Sequence, residues 1–307
     1  MNAPAVLLAL LAALANGAAS VLQRRAAMEQ VEDETVGHGP DVRHPVRRWA
    51  QLVRRPFWLA GAVALGLSAA LQASALAVGS LTVVQPLMVS ELLFTLVLGT
   101  VVFRHRPDGR TWGAFLMLAV GLALFLIAAG PSVGGATGQA GRWPVAGSCA
   151  AAAVVLLVLL ARALDGAARA AALGCATAIS FACTAALVKE VMGRIPEGAA
   201  EVFATGYLYA MSGAGLLSLL LLQSTLRAGT LAASQPALTL GDALVSVVLG
   251  SAVFDEGIAL GDHLLPATLG AVLIAAGTVG LSVSPAVAGD WDSTGTATRR
   301  SRSRHNR

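Results

Sequence analysis

The chain has 307 residues, 56% of which are hydrophobic and only 12% charged, and its formal net charge is +4. Soluble domains carry roughly 25% charged residues, so this composition and the mean hydropathy of +0.72 exclude an ordinary soluble domain and indicate a membrane protein. The three cysteines lie inside apolar runs, which favours buried thiols over a disulfide or zinc framework.

Nine apolar segments are long enough, or nearly so, to cross the roughly 30 Å of bilayer hydrocarbon. We therefore predict an all-α polytopic membrane protein with about nine transmembrane helices. The predicted spans 1 to 9 cover residues 3–22, 58–79, 82–103, 112–130, 145–161, 170–188, 203–222, 231–254 and 264–284.

The distribution of basic residues gives an independent test of nine spans, because Lys and Arg prefer cytoplasmic loops. With nine spans, 18 of the 21 basic residues fall on one side of the membrane and only three on the other. This asymmetry predicts an N-terminus outside the cell membrane and a C-terminus in the cytoplasm. Residues 1–22 also resemble a cleavable signal peptide, but Arg24 and Arg25 directly after them favour an uncleaved anchor.

Residues 23–57 form the long cytoplasmic loop of this topology. Within it, residues 28–41 are acidic, polar and turn-rich, and they are predicted to be flexible. Residues 46–58 place apolar side chains at helical spacing between arginines. That pattern suits either a helix lying on anionic lipid headgroups or an ordinary positive flank of a span.

Two further segments are predicted to lack regular structure. The tail, residues 289–307, is basic and cytoplasmic in this topology. Because topology alone explains its arginines, nucleic-acid binding is not expected. Residues 132–141 are glycine-rich but lack the strand and the lysine of a phosphate-binding loop, so they are predicted to form a flexible external loop.

An internal repeat relates the two halves of the chain. Residues 71–86 match residues 221–236 at seven of sixteen positions without a gap. After one inserted residue, residues 90–103 align with residues 241–254. The pairs that carry most weight are Gln85 with Gln235, Pro86 with Pro236, and Glu91 with Asp242.

The matched segments are spans 2 and 3 against spans 7 and 8, so the two copies must cross the membrane in opposite senses. The predicted units are a first repeat at residues 1–144, a connector helix at 145–168 and a second repeat at 169–288. Inverted repeats recur in secondary transporters, whose sites lie near the bilayer midplane. A weaker correspondence pairs Asn16 with Ser180, Ser20 with Thr184, and Arg25 with Lys189.

Glu91 and Asp242 are the candidate functional acids. At 1.5 Å per residue they are predicted to lie about 13 and 16 Å along their helices, near the bilayer centre. An acidic residue there costs roughly 2.5 to 3.5 kcal/mol on insertion scales, so such groups usually mark ion or substrate paths. The alternative is a protonated carboxyl group that bonds a neighbouring helix.

Polar stripes at helical spacing supply the predicted surroundings of the two acids. Thr82 and Gln85 fit a T-x-x-Q capping box at the start of span 3, and Pro86 and Pro236 each free a backbone carbonyl. Each Ser or Thr can instead bond its own helix, and each Gln equally suits an interhelical bond. The other candidate residues are Asn16, Ser20, Gln23, Gln85, Ser180, Thr184, Gln235, Thr239 and Ser246.

The pattern WLAG…ALAVGSLTVVQPL, residues 58–87, is followed by an apolar span and a charged turn and resembles the drug/metabolite transporter superfamily. Asn16, the run LQR at residues 22–24 and the basic loop before residues 57–58 resemble more specifically its branch of NIPA-type magnesium transporters. The resemblance covers spans 1 to 9. It implies an inverted-repeat permease that works by alternating access.

One position departs from the pattern of this superfamily. Members of its EamA-like branch usually have ten spans and an acidic residue after the fourth helix of each repeat. Here Glu256 fills that place in the second repeat, whereas His105 stands in the first. The resemblance therefore leaves the EamA-like and NIPA-type branches both open.

The leading expectation is a secondary transporter or facilitative permease of the cell membrane, in which Glu91 and Asp242 bind a proton, a cation or a cationic group of a small solute. A magnesium permease is the sharper version, because Mg²⁺ takes oxygen ligands. A membrane scaffold or sensor that acts through the long loop is the alternative from another class. Neither enzyme activity nor a cofactor is expected, since every histidine lies outside the spans. The oligomeric state is left open.

Overall fold

The computed structural model of the chain describes residues 2–36, 56–103, 108–129, 134–228, 231–257 and 264–283. Within these ranges the regular secondary structure is helical, and nine helical segments are long and apolar enough to cross a membrane. The predicted all-α fold with nine spans is thereby confirmed. The predictions for residues 46–55 and for the tail at 289–307 lie outside the described residues.

Every predicted span corresponds to a helix, with bounds that differ by a few residues except at the end of span 1. Span 3 consists of two helices, and two short helices, Ile195–Glu197 and Ala199–Ala204, connect spans 6 and 7. In chain order the spans are Ala3–Val36, Pro56–Val78, Leu81–Met88 with Glu91–Phe103, Gly109–Ala129, Trp143–Arg162, Gly166–Arg194, Tyr207–Ala228, Leu231–Phe254 and Leu264–Ser282.

The helix of span 1 continues well past the predicted end of the span. Residues 28–36 are helical rather than part of a flexible loop, so that part of the loop prediction is wrong. The segment from Gln23 to Val36 contains neither Gly nor Pro and is rich in Glu, Gln, Arg and Ala, all of which favour helices. The first turn-forming residue is Gly37. Acidity was therefore a poorer guide to structure here than helix propensity.

Residues 134–141 form a loop without regular secondary structure, as predicted, and this loop is attached to the end of span 8. The backbone N–H of Gly135 donates to the carbonyl oxygen of Phe254 at 2.8 Å, and that of Gln139 donates to Val253 at 3.0 Å. These bonds involve residues more than a hundred positions apart, so glycine content alone does not reveal them.

Span 6 lies at the centre of the bundle. In its most hydrophobic segment 56% of the residues are buried, a larger share than in any other described span. Span 1 packs against spans 2 and 3, and span 6 packs in the same way against spans 7 and 8. Span 4 pairs with span 9, and the first half of span 3 contacts span 8. This arrangement supports the inverted repeat, although the repeat itself stays a prediction.

Two serines at equivalent positions illustrate the correspondence. Extending the ungapped alignment of residues 71–86 backwards pairs Ser68 with Ser218, and both side chains are buried. The hydroxyl of Ser68 in span 2 donates to the carbonyl oxygen of Ala12 in span 1 at 2.8 Å. The hydroxyl of Ser218 in span 7 donates to that of Ser180 in span 6 at 2.9 Å. Each serine thus joins the first two helices of its half.

Contacts between the span ends define two ends of the bundle. At one end, which we call the Lys189 end, the Lys189 ammonium donates to the carbonyl oxygen of Gly79 at 3.2 Å and the Asn2 amide to that of Val78 at 2.6 Å. The opposite end, the arginine end, carries Arg24, Arg25, Arg110, Arg162, Arg169 and Arg227. The alternation agrees with the predicted topology, whereas the end that faces the cytoplasm stays a prediction.

Spans 4 and 9 pack through glycines at close range. A Cβ atom added to Gly277 would stand 2.5 Å from the backbone nitrogen of Leu118, and one added to Gly270 would stand 2.6 Å from that of Phe125. Small residues at such crossings let membrane helices approach and gain dispersion contacts. The close packing of spans 4 and 9 therefore requires glycine at positions 270 and 277.

We expect Gly277→Val to force spans 4 and 9 apart and to lower the free energy of unfolding by about 1 to 3 kcal/mol, the usual penalty of overpacking. Thermal unfolding of the purified protein in detergent measures the loss. Gly113→Val is the matched control, because nothing lies within 4 Å of a Cβ at Gly113 in span 4. Equal losses in both variants would contradict the packing argument.

Candidate functional site

Span 3 is broken immediately before Glu91. Its two helices, Leu81–Met88 and Glu91–Phe103, are separated by a two-residue turn. At the turn, the backbone N–H groups of Ser90 and Leu93 donate to carbonyl oxygens three residues back instead of four. Irregular backbone at membrane depth occurs where it is buried in protein or lines an aqueous cavity. The break therefore marks the first feature of a candidate site.

Pro86 alone does not explain the break, because span 8 remains helical through Pro236. A second difference between the two spans is Ser90, whose hydroxyl donates to the carbonyl oxygen of Leu87 at 2.6 Å, whereas the aligned position in span 8 is Gly241. Such a bond does not by itself break a helix, because Ser251 makes the same bond to Val248 inside the continuous span 8. The two prolines thus have different structural consequences.

Glu91 is the first residue of the second helix of span 3 and lies at the positive end of its dipole. The side-chain amide of Asn16, in span 1, donates a hydrogen bond to the Glu91 carboxylate. The two spans approach closely because of Gly17, where an added Cβ would stand 3.0 Å from the backbone nitrogen of Thr95. The structure thus brings Asn16 and Glu91 together across two helices.

Leu240 and Ala243, which flank Asp242 in span 8, pack against the cluster that contains Val89 and Leu92 beside Glu91. The two acids therefore lie within range for their negative charges to repel each other. Ser246 stands beside Asp242, but the geometry of the pair falls short of a hydrogen bond. One carboxylate oxygen of Asp242 and the Ser246 hydroxyl are therefore buried without a partner among the described residues. An unpaired buried oxygen is unfavourable, so this position suits a proton or a cation. We call Asn16, Glu91, Asp242 and Ser246 the acidic site.

Ser20 is exposed. It lies four residues after Asn16, on the same face of span 1 and one turn nearer to the arginine end. Ser20 is thus the next polar side chain after the acidic site on this face of span 1.

Two other predicted polar residues, Ser180 and Thr184, face span 7. The Thr184 hydroxyl donates to the carbonyl oxygen of Ser180 at 2.8 Å and lies 3.3 Å from the hydroxyl of Ser218. A second contact of this kind joins Thr177 to Thr225, whose hydroxyl oxygens are 2.9 Å apart. These hydroxyls hold spans 6 and 7 together, and a role for Ser180 and Thr184 at the acidic site stays a prediction.

The remaining predicted residues are dispersed. Gln23 packs against span 2, where its Cγ atom would stand 2.8 Å from a Cβ added to Gly61. A role for Gln23 at the acids stays a prediction. Gln85 and Thr239 are buried and Gln235 is half-buried inside the bundle. A functional role for these three stays a prediction.

The predicted capping box at the start of span 3 is wrong. The helix begins at Leu81, and the carboxylate of Glu256, more than 170 residues away, accepts the hydrogen bonds expected of a cap. It receives the backbone N–H of Leu81 at 2.7 Å and that of Thr82 at 2.8 Å. The Thr82 hydroxyl donates to the same carboxylate at 2.5 Å. An acidic group at this helix terminus is also favoured by the helix dipole.

Lys189 completes this arrangement. Its ammonium lies 2.5 Å from the Glu256 carboxylate, and both side chains are almost wholly buried. The ammonium also lies 4.8 Å from the centre of the Phe254 ring, in a cation–π geometry. Span 6, the end of span 8 and the start of span 3 are thus joined by one buried ion pair. We call Lys189 and Glu256 the buried ion pair.

Glu190, the next residue, forms a second buried centre. It accepts two hydrogen bonds from the guanidinium of Arg194, at 3.0 and 2.7 Å, and one from the backbone N–H of Gly138 at 2.6 Å. Sequence reasoning assigned Lys189 and Arg194 to the external flank and missed both centres. The available signal was the only lysine of the chain, which directly precedes a glutamate at the end of an apolar helix.

The donor set of the acidic site contains two carboxylates, an amide and a hydroxyl. Among the described residues, no three His, Cys, Asp or Glu side chains converge as metal ligands. An ion with few protein ligands would therefore have to keep part of its hydration shell here, as Mg²⁺ commonly does.

The chain is similar in sequence to an uncharacterized protein of Corynebacterium glutamicum. The two are 29% identical over 258 residues, which make up 83% of this chain and 86% of the relative. No family model matches the chain, and no solved structure matches it. The resemblance to the drug/metabolite transporters therefore stays a prediction.

Proposed function

We propose that the chain is a membrane permease that moves a small solute or a cation by alternating access, with the acidic site as its binding centre. The observation that carries this proposal is the broken span 3, which places Glu91 at a helix start deep in the bundle and within electrostatic range of Asp242. Transporters commonly form their sites from discontinuous helices near the bilayer midplane.

The charges of the acidic site explain what it would bind. Two carboxylates in an apolar interior repel each other strongly, because low dielectric weakens screening. A proton, a metal cation or a cationic group placed between Glu91 and Asp242 would relieve that repulsion and satisfy the unpaired Asp242 oxygen. Asn16 orients one carboxylate through its hydrogen bond. The proposed cargo or coupling ion is therefore positively charged, and magnesium is the most specific hypothesis for it.

The two ends of the bundle differ in a way that fits alternating access. At the Lys189 end, the buried ion pair joins spans 3, 6 and 8. Towards the arginine end, the exposed Ser20 follows the acidic site on the same face of span 1. The conformation described would thus be closed at the Lys189 end and open towards the arginine end. From the basic residues, we place the arginine end in the cytoplasm of the cell.

Reconstitution into liposomes tests the proposal directly. We expect purified protein to accelerate the uptake of at least one member of a panel of divalent cations, cationic metabolites and drug-like cations, compared with protein-free liposomes. Fluorescent indicators or radiolabelled solutes report the flux. Magnesium and calcium in parallel arms test the magnesium candidate. A protein that folds and inserts but moves none of the panel would favour the scaffold or sensor alternative.

A further inference from the structure

A second polar pocket lies at the arginine end, away from the acidic site. Spans 5, 6 and 7 border an open cavity of about 390 Å³, whose polar lining consists of Ser224 and the three arginines Arg162, Arg169 and Arg227. Each arginine comes from a different helix or helix end: Arg162 ends span 5, Arg169 lies in the first turns of span 6 and Arg227 ends span 7. The chain thus concentrates three positive charges in one place.

Arg162, Arg169 and Arg227 are exposed, and no acidic partner for them is found in the part of the chain that the structure describes. Across the described residues, none of them forms an ion pair or a side-chain hydrogen bond, and no acidic residue lines the cavity. Positive charge at this end is expected from topology, but topology only requires arginines near the membrane surface. It does not require three helices to point them at one cavity, where they repel each other. Their convergence is explained if an anion occupies the cavity.

The start of span 6 adds to this preference. Arg169 lies near the positive end of the helix dipole, where a basic side chain is unfavourable and an anion is favoured. Asp165, at the N-cap position, makes no side-chain hydrogen bond to the first N–H groups of the helix. The first turn therefore keeps free donors beside the arginines.

The opposite wall of the cavity is apolar. Val158 of span 5 and Leu173 of span 6 line it, and both belong to a small hydrophobic cluster between these helices. The cavity thus offers charged donors at one side and hydrocarbon at the other, in the region where a span leaves the membrane. That combination matches a phospholipid, whose headgroup phosphate and acyl chains are joined through glycerol.

We propose that this cavity is a binding site for a phosphate-bearing anion, with the headgroup of an anionic phospholipid as the form that its apolar wall fits. The arginines bind the phosphate oxygens, and the part of an acyl chain nearest the glycerol packs on Val158 and Leu173. Basic pockets between membrane helices bind anionic lipid headgroups by this chemistry. The proposal is independent of transport at the acidic site.

Lipid binding to the purified protein in detergent micelles tests the site. Dioleoylphosphatidylglycerol is titrated in one arm, dioleoylphosphatidylcholine in a second and inorganic phosphate in a third, and bound ligand is counted by native mass spectrometry. We expect phosphatidylglycerol to bind most tightly. Each Arg→Gln change at positions 162, 169 and 227 should weaken it roughly fivefold, and the triple variant on the order of 100-fold.

Arg110→Gln is the matched control, because Arg110 is an exposed arginine at the same end but outside the cavity. It should leave phosphatidylglycerol binding unchanged. Unfolding temperatures without added lipid show that each variant is folded. Equal phosphatidylglycerol affinity in the triple variant and the unaltered protein would overturn the proposal. If inorganic phosphate binds as tightly as phosphatidylglycerol and is lost in the triple variant, the phosphate site stands and its assignment to lipid is overturned.

Discussion

Glu91→Gln and Asp242→Asn are each expected to lower solute flux in liposomes roughly 30-fold while the protein stays folded. Each change keeps the size of the side chain and removes its charge. A charge-assisted hydrogen bond contributes about 1.5 to 3 kcal/mol, and a loss of about 2 kcal/mol weakens binding of a cation by this factor. The measurement is the initial rate of uptake at a solute concentration well below saturation.

Exposed carboxylates outside the acidic site provide the controls. Glu197→Gln and Asp165→Asn make the same chemical changes in exposed segments that connect spans, and they should leave flux within twofold of the unaltered rate, since surface charges contribute little. The double variant of Glu91 and Asp242 should resemble the worse single variant, because both acids would hold one cation. Undiminished flux in the double variant would refute the acidic site as the binding centre.

The membrane fold could be predicted from the sequence because it depends on local hydrophobicity. Long apolar segments identify all nine helices, and the rarity of acids in them singled out Glu91 and Asp242. The prediction of the helices and that of the two acids each rest on single residues or on one short segment of the sequence at a time.

The contacts that were not predicted share a different physical origin. A polar stripe shows that one face of a helix needs partners but not which neighbour supplies them, so the bonds of Ser180 and Thr184 to span 7 were not predicted. The cap of span 3 comes from Glu256, 174 residues beyond Thr82. No local motif encodes such a contact. The break before Glu91 was missed because a proline at the matched position, Pro236, leaves span 8 continuous.

Glu256→Gln is expected to be the most destabilising single change considered, with a loss of about 3 to 5 kcal/mol in the free energy of unfolding. The substitution leaves the Lys189 ammonium buried without a counter-charge, because its remaining partners are the amide oxygen of the new side chain, the Gly79 carbonyl and the Phe254 ring, which are all neutral. It also replaces an acceptor by an amide donor facing the start of span 3. Titration of mixed micelles with sodium dodecyl sulfate measures the loss.

The order of related variants tests the reason for this loss. Lys189→Met should cost less than Glu256→Gln, because the carboxylate keeps three donors, from Leu81 and Thr82, and the helix dipole. The double variant that combines Lys189→Met with Glu256→Gln should be more stable than Glu256→Gln alone, since it leaves no unpaired buried cation. Asp255→Asn is the matched control: the adjacent Asp255 forms an exposed ion pair with Arg142, worth at most about 1 kcal/mol. If Glu256→Gln proved as mild as Asp255→Asn, Glu256 would not be what holds spans 3, 6 and 8 together at the Lys189 end.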